Sequence, residues 1–199
     1  MSHVEAEIVE LADRIVRSGY STSDEAVSEI VEVMGYDGTS ANLRQRAREA
    51  VERALVAHDH EERLWGTTDN DRLERAAVAL EANGILVRQN FSCCQACGFD
   101  RIPTEVESAA TNGQTVRGVI FSHWNDTERA IDGRGLGLSY AAIGAYSPAQ
   151  YPLAAQTVAA ELVDALRREG LSVRWSGSLD QRVTVSVRWQ RRRFTAPPH

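Results

Sequence analysis

The sequence predicts an α+β protein with a mixed sheet of about five strands, packed by helices and preceded by an N-terminal helical segment. Three observations support this fold class. Apolar residues in the first 61 positions recur at helical spacing. Beyond them, short apolar runs that suit strands alternate with helical patterns. Near the end, residues 182–190 alternate apolar and polar side chains, which is typical of a strand with one buried face.

Composition and charge exclude several classes of protein. The chain has 199 residues, of which 43% are hydrophobic and 25% charged, as in ordinary globular proteins. Its net charge of -6 argues against general nucleic-acid binding, which usually needs a basic face. All of its basic residues other than histidine are arginines, so the chain offers no lysine for Schiff-base chemistry or a phosphate loop.

The cysteine count and the N-terminus suggest a cytoplasmic location. There are three cysteines, an odd number, and two of them are adjacent, which argues against a disulfide framework and favours a reducing compartment. The first residues do not form a signal peptide, and no apolar run is long enough to cross a bilayer. We therefore expect a cytoplasmic protein without membrane association.

Two helices are expected at the start of the chain. Residues 4–16 carry one apolar stripe, and the helix should end near Gly19. Thr22 and Glu25 have the spacing of a capping box that opens a second helix, which should stop at Gly35. Two short helices around a glycine turn also occur in helix-turn-helix proteins, but the acidic character of this segment favours a packing hairpin.

A third, longer helix should begin after Ser40 and run toward Trp65. His58 and Glu62 lie four residues apart on it, so they share one face and form a weak candidate metal pair. The favoured interpretation is a solvated polar face.

The break in periodicity at residues 66–70 suggests a division of the chain. We expect an N-terminal helical segment over residues 1–61, an α+β domain over residues 62–193 and a frayed tail over residues 194–199.

The α+β domain should alternate helices and strands. The expected order is a helix from Asp71, a strand over 85–91, a helix opened by Pro103, a strand over 115–122, a short helix capped by Asn125, a strand over 136–143, a helix opened by Pro152, and a hairpin of strands over 171–175 and 182–190. If the first two strands are parallel neighbours, both end at the same edge of the sheet. The cysteines and His123 would then emerge together, where open α/β sheets tend to bind ligands.

All three cysteines follow the first of these strands, and they allow a metal site. Cys94 and Cys97 have the two-residue gap with which two thiolates face one zinc ion. Structural zinc normally takes four ligands, and Cys93 and His123 are the candidates that would complete the set.

Thiol chemistry and simple packing are the alternatives. Cys94 and Cys97 form a candidate redox pair, although a helix that starts at Pro103 would lie too far along to lower a thiol pKa. A cysteine nucleophile with His123 as base is also open, with Asn125 or Asp126 orienting the imidazole. The cysteines also suit plain packing, because cysteine is often a small buried hydrophobe.

The remaining motifs have structural explanations. Residues 133–137 resemble a phosphate loop, but a strand follows where a helix is required, so a turn is favoured. The four tryptophans suit core or sheet-face positions. Arg182 and Arg188 are expected on the solvated face of the last strand.

From about residue 65 to residue 193 the chain resembles a family of uncharacterised bacterial domains. The motifs that carry the resemblance are residues 93–98 (Cys-Cys-Gln-Ala-Cys-Gly), residues 126–128 (Asp-Thr-Glu) and residues 170–175 (Gly-Leu-Ser-Val-Arg-Trp). The family implies no activity and supplies no catalytic residues.

The sequence therefore favours a non-catalytic, cytoplasmic interaction or regulatory domain with a Cys/His cluster and zinc as its candidate cofactor. The alternative is a thiol-dependent enzyme or redox sensor that uses Cys94, Cys97 and His123. A protein partner or a second copy of the chain is the expected partner class.

Overall fold

The computed structural model describes residues 3–35 and 41–193, and its backbone divides into two compact units. Within the described residues, the first unit comprises the chain up to Thr68 together with the segment from Gln190 onward. The second unit runs from Asp69 to Trp189 and contains the sheet. We call them the helical unit and the sheet unit. Whether residues 62–193 fold alone stays a prediction, and residues 194–199 and Ser40 lie outside the described ranges.

The helical unit packs three helices around an aliphatic core: α1 (His3–Ser18), α2 (Ser23–Val33) and α3 (Ala41–Glu62). The predicted capping box is present, because Thr22 Oγ1 accepts from the Glu25 amide and Glu25 Oε2 accepts from the Thr22 amide at 2.8 Å. Helix periodicity thus places a stripe of each helix inward. The buried set is Ile8, Ala12, Ile15, Val16, Ala26, Val27, Ile30, Val31, Leu43, Ala47, Ala50 and Val51.

His58 is buried in the helical unit, so its expected place on a solvated face is wrong. Its ring packs edge-on against Trp65 with centroids 5.2 Å apart. Its Nε2 lies 3.2 Å from the carbonyl of Arg191 and 3.8 Å from Oε2 of Glu62. The returning C-terminal segment, which no local pattern predicts, explains the burial.

The sheet unit contains five strands and four helices. In chain order they are α4 (Asp69–Glu81), β1 (Ile85–Arg88), α5 (Gln95–Thr111), β2 (Gly118–Phe121), α6 (Trp124–Ile131), β3 (Leu136–Ala142), α7 (Tyr151–Arg168), β4 (Ser172–Arg174) and β5 (Val183–Ser186). The strand order is β1-β2-β3-β5-β4, with β1 and β2 parallel and the other neighbours antiparallel. The prediction of an α+β fold with a mixed sheet of about five strands is confirmed.

Helices cover both faces of the sheet around β1 and β2. On one face, Leu86, Val119 and Phe121 pack with Ile102 and Ala109 of α5. On the other, Gly118 leaves room for α7, since an added Cβ would lie 2.7 Å from a methyl group of Val158. Successive residues of each strand therefore face opposite sides of the sheet, one covered by α5 and the other by α7, because side chains alternate along a strand.

Of the helix starts predicted at Pro103, Asn125 and Pro152, the one at Pro152 matches the structure and the other two do not. Pro152 stands in the first turn of α7, as expected. The short helix α6 begins after His123, so the prediction that Asn125 caps it is wrong. The helix expected to open at Pro103 begins instead at Gln95, which places Pro103 inside α5.

The helices within residues 3–35 and 41–193 include none with the length and apolar character needed to span a membrane.

Candidate functional site

The loops that follow β1 and β2 leave the same edge of the sheet and are bonded to each other. The chain turns out of β1 at Asn90, which adopts a left-handed backbone with φ of 52°. The Asn90 amide donates to Ser122 Oγ at 3.1 Å, and Thr127 Oγ1 donates to Asn90 Oδ1 at 3.0 Å. The parallel pairing expected from the sequence thus brings the cysteine loop beside the start of α6.

The three cysteines lie at the N-terminus of α5. Cys94 is the N-cap residue, with an extended backbone at φ -151° and ψ 174°, and Cys97 stands in the first turn. The free amides and the positive end of the helix dipole therefore face the cysteine cluster, which favours thiolates. The expectation that the helix begins too late to influence the thiols is wrong.

Gly98 explains how α5 can start so close to the sheet. It lies within the helix, and a Cβ at this position would stand 2.2 Å from Cε2 of Phe121. The Phe121 ring is buried and packs edge-on against Phe91 and Phe99. Gly98 is therefore a close-packing residue.

The sulfur atoms of Cys93, Cys94 and Cys97 converge. All three lie within 4.8 Å of one another, and this three-cysteine group is able to hold a metal ion. Cys93 and Cys97 are exposed and Cys94 is half-buried, with all three as free thiols. The idea that the cysteines merely fill the interior does not match this exposure.

The pKa values of Cys94 and Cys97 are shifted in opposite directions. The pKa of Cys94 is lowered, first by the backbone amide of Cys97 and next by the Cys97 thiol, with smaller help from Cys93 and the Ala96 amide. The pKa of Cys97 is raised to about 11, because hydrogen bonds with Cys93 and Cys94 favour its protonated form. Cys94 thus ionises more readily than Cys97, which serves as its hydrogen-bond donor.

His123 lies at the end of β2, but its ring does not join the sulfur atoms. Its Nε2 is 3.2 Å from Oδ2 of Asp126 and 3.3 Å from Nη1 of Arg182. Burial lowers the pKa of His123, although the neighbouring Asp126 opposes this effect. The ring therefore belongs to a buried network with Asp126 and Arg182.

The Asp126–Arg182 pair is a feature that the sequence interpretation missed. The guanidinium grips the Asp126 carboxylate with both terminal nitrogens, Nη1 to Oδ1 measuring 2.9 Å, and it also donates to the carbonyl of Gly137 at 2.8 Å. Arg182 was expected on a solvated face, yet three-quarters of its side chain is buried. The Asp-Thr-Glu motif at 126–128 was the only available signal, and it does not name the arginine.

A separate cavity of about 690 Å³ opens at the other end of β1 and β2. It is lined by residues 81–86 and 114–117 and by Arg88. Arg88 is paired there with Glu81 at 3.2 Å and with Glu105 at 2.7 Å. The charge of Arg88 in this cavity is therefore already paired with carboxylates. The cavity lies at the opposite end of the strands from the cysteines.

Fold and site together define an α+β protein with an exposed three-cysteine cluster at a helix N-terminus. The chain belongs to the family described as Domain of unknown function (DUF6891), whose model matches residues 1–193. That match also spans the helical unit, which the motif resemblance did not include. Comparisons with curated proteins and with solved structures gave no match.

Proposed function

We propose that this protein is a non-catalytic, cytoplasmic regulatory domain whose signal is the reversible oxidation of Cys94 and Cys97 to a disulfide. The observation that supports this most directly is the position of Cys94 at the N-cap of α5, where the Cys97 amide stabilises its thiolate. Thiolates, and not thiols, carry out disulfide exchange.

The reaction requires an external disulfide as the oxidant. The Cys94 thiolate attacks one sulfur of the disulfide, so that a mixed disulfide forms and one thiolate leaves. Cys97 loses its proton and attacks Sγ of Cys94, which releases the second thiolate and closes the Cys94–Cys97 bond. Two electrons pass from the protein to the oxidant, which leaves as two thiols.

The thiol-dependent enzyme remains the weaker hypothesis. It needs His123 as a general base, and the imidazole Nε2 lies between Asp126 and Arg182. A redox pair needs no such base, because the helix amides already stabilise the Cys94 thiolate.

Trapping of the mixed disulfide tests this proposal. Reduced, tag-free protein is treated with oxidised glutathione and examined by intact mass. Wild type should lose two hydrogens, whereas Cys97→Ser should stop at a glutathione adduct on Cys94. Cys93→Ser is the matched control and should still form the internal disulfide. A Cys94→Ser variant that oxidises at the wild-type rate would contradict the proposal.

A zinc site is the second candidate, and the convergence of three sulfur atoms favours it. Cys93, Cys94 and Cys97 would be its ligands, with His123 or a group from a protein partner as the fourth. Metal analysis of protein purified without a tag, combined with thiol titration, provides the test. One zinc per chain with protected thiols would support this site, and metal-free protein with three reactive thiols would contradict it.

A further inference from the structure

The three-cysteine cluster offers three sulfur ligands for a metal ion. Its three sulfur atoms all lie within 4.8 Å of one another. Across residues 3–35 and 41–193, no histidine, aspartate or glutamate ligand atom completes this group at the same distance. The arrangement thus supplies three soft ligands, whereas structural zinc sites almost always hold four.

His123 is poorly disposed to become the fourth ligand. Asp126 and Arg182 flank its Nε2, and its Nδ1 is fully buried. Moving the ring toward the sulfurs would break the contacts of its Nε2 with Asp126 and Arg182.

The local electrostatics suit a complex with net negative charge. A monovalent ion bound by three thiolates carries two negative charges, and the N-terminus of α5 with its free amides stabilises such a charge. Soft thiolate ligands suit both Cu(I) and zinc, and a set of three ligands favours Cu(I), because structural zinc almost always takes four. Three-coordination by thiolates is also a normal geometry for Cu(I), and binding needs no change of oxidation state.

We propose that Cys93, Cys94 and Cys97 are the three ligands of a binding site for a soft monovalent cation, and that this cation is Cu(I). Binding releases the protons of the thiols that are not already ionised. The exposure of Cys93 and Cys97 leaves the bound ion accessible to another thiol ligand. The site goes beyond the proposed disulfide switch, because it requires Cys93 and the switch does not.

Anaerobic titration of the reduced full-length protein with Cu(I), held by a chromophoric chelator, tests the site. We expect one Cu(I) per chain, three copper–sulfur contacts in X-ray absorption, and retention of Cu(I) in the presence of excess zinc. Cys93→Ser should weaken Cu(I) binding by more than about tenfold. Metal affinity falls by at least about that factor even when the residue removed only hydrogen-bonds to a metal ligand. Because Cys93 is exposed, this variant should keep its circular dichroism spectrum.

Cys93→Ser also separates the two proposals, since it should lose Cu(I) affinity and still form the Cys94–Cys97 disulfide. His60→Gln removes an exposed histidine of α3 and should leave Cu(I) binding unchanged. Three results would overturn the three-coordinate site. The first is displacement of Cu(I) from the wild-type protein by zinc, and the second is a nitrogen ligand in X-ray absorption of the wild-type complex. The third is a Cys93→Ser protein that binds Cu(I) through two sulfur atoms with undiminished affinity. Loss of binding in His60→Gln would place the copper elsewhere and overturn it too.

Discussion

The backbone amide of Trp124 donates a 2.8 Å hydrogen bond to the carbonyl of Ser92. Ser92 in turn donates from Oγ to the carbonyl of Cys94 at 2.8 Å. The cysteine loop is thus bonded both to the first residue of α6 and to the N-cap of α5. A chemical change at Cys94 lies two hydrogen bonds away from α6, which provides a short structural route from the cluster to a neighbouring helix.

Gly98→Ala should destabilise the sheet unit although alanine is the better helix former. The added methyl would lie 2.2 Å from the Phe121 ring, and overpacking of this kind costs about 1–3 kcal/mol. The gain in helix propensity returns only about 0.5–1 kcal/mol. Urea denaturation followed by near-ultraviolet circular dichroism measures the net loss.

Gly66→Ala is the matched control, because nothing lies within 4 Å of the Cβ that it adds. It should change the free energy of unfolding by less than about 0.5 kcal/mol. A Gly98→Ala protein as stable as wild type would mean that α5 does not rest on Phe121.

Val185→Ala and Thr184→Ala should differ in cost because the strand alternates. Val185 is completely buried, so the loss of burial and the remaining cavity should lower the free energy of unfolding by about 1–3 kcal/mol. Thr184, expected to be exposed, is half-buried, and its change should stay below about 1 kcal/mol. Equal losses in urea denaturation would indicate a sheet that is covered equally on both faces.

The sequence predicted what depends on local periodicity. Burial alternates through Val183, Val185, Val187 and Trp189, although the paired strand β5 itself ends at Ser186. The start of α5 was missed because cysteine is not a usual N-cap residue, whereas Pro103 imitates a helix start.

The candidate site was predictable only in part. The cysteines are close in sequence, and the parallel pairing of β1 and β2 could be inferred from the helix between them. Asp126 and Arg182 are 56 residues apart, and their pairing depends on the packing of α6 against the sheet. No local pattern records such a contact, so the actual surroundings of His123 could not be derived from the sequence.

His123 should make the stability of the sheet unit depend on pH. Burial lowers its pKa from the ordinary value of 6.5, so the unfolded chain takes up a proton at a higher pH than the folded chain does. The contribution to stability is therefore present above pH 6.5 and is lost as the pH falls through the folded-state pKa. Asp126 and Arg182 are the charged groups that face the ring.

Urea denaturation at several pH values on either side of 6.5 measures this effect. His123→Gln should show a smaller loss of stability on acidification than the wild-type protein does. An unchanged pH profile in His123→Gln would show that the imidazole is protonated equally in both states.

Removal of the residues after 189 should loosen the helical unit. The Nη2 atom of Arg192 donates to the carbonyl of Gly66 at 2.9 Å, and the Arg191 guanidinium lies 4.2 Å from the centre of the Tyr20 ring. The Arg191 carbonyl is also 3.2 Å from Nε2 of the buried His58. These contacts join the C-terminal segment to α3 and to the turn after α1.

Hydrogen exchange on chains that end at residue 189 and at residue 193 measures this contribution. The shorter chain should exchange the amides around His58 about tenfold faster, which corresponds to about 1.4 kcal/mol of local stability. The chain that ends at 193 keeps the described contacts and should match the full-length protein. The core amides of α7, within the sheet unit, serve as the internal reference in each sample. Equal exchange around His58 in both truncations would show that the segment from Gln190 onward does not stabilise the helical unit, and its burial of His58 would then have no energetic consequence.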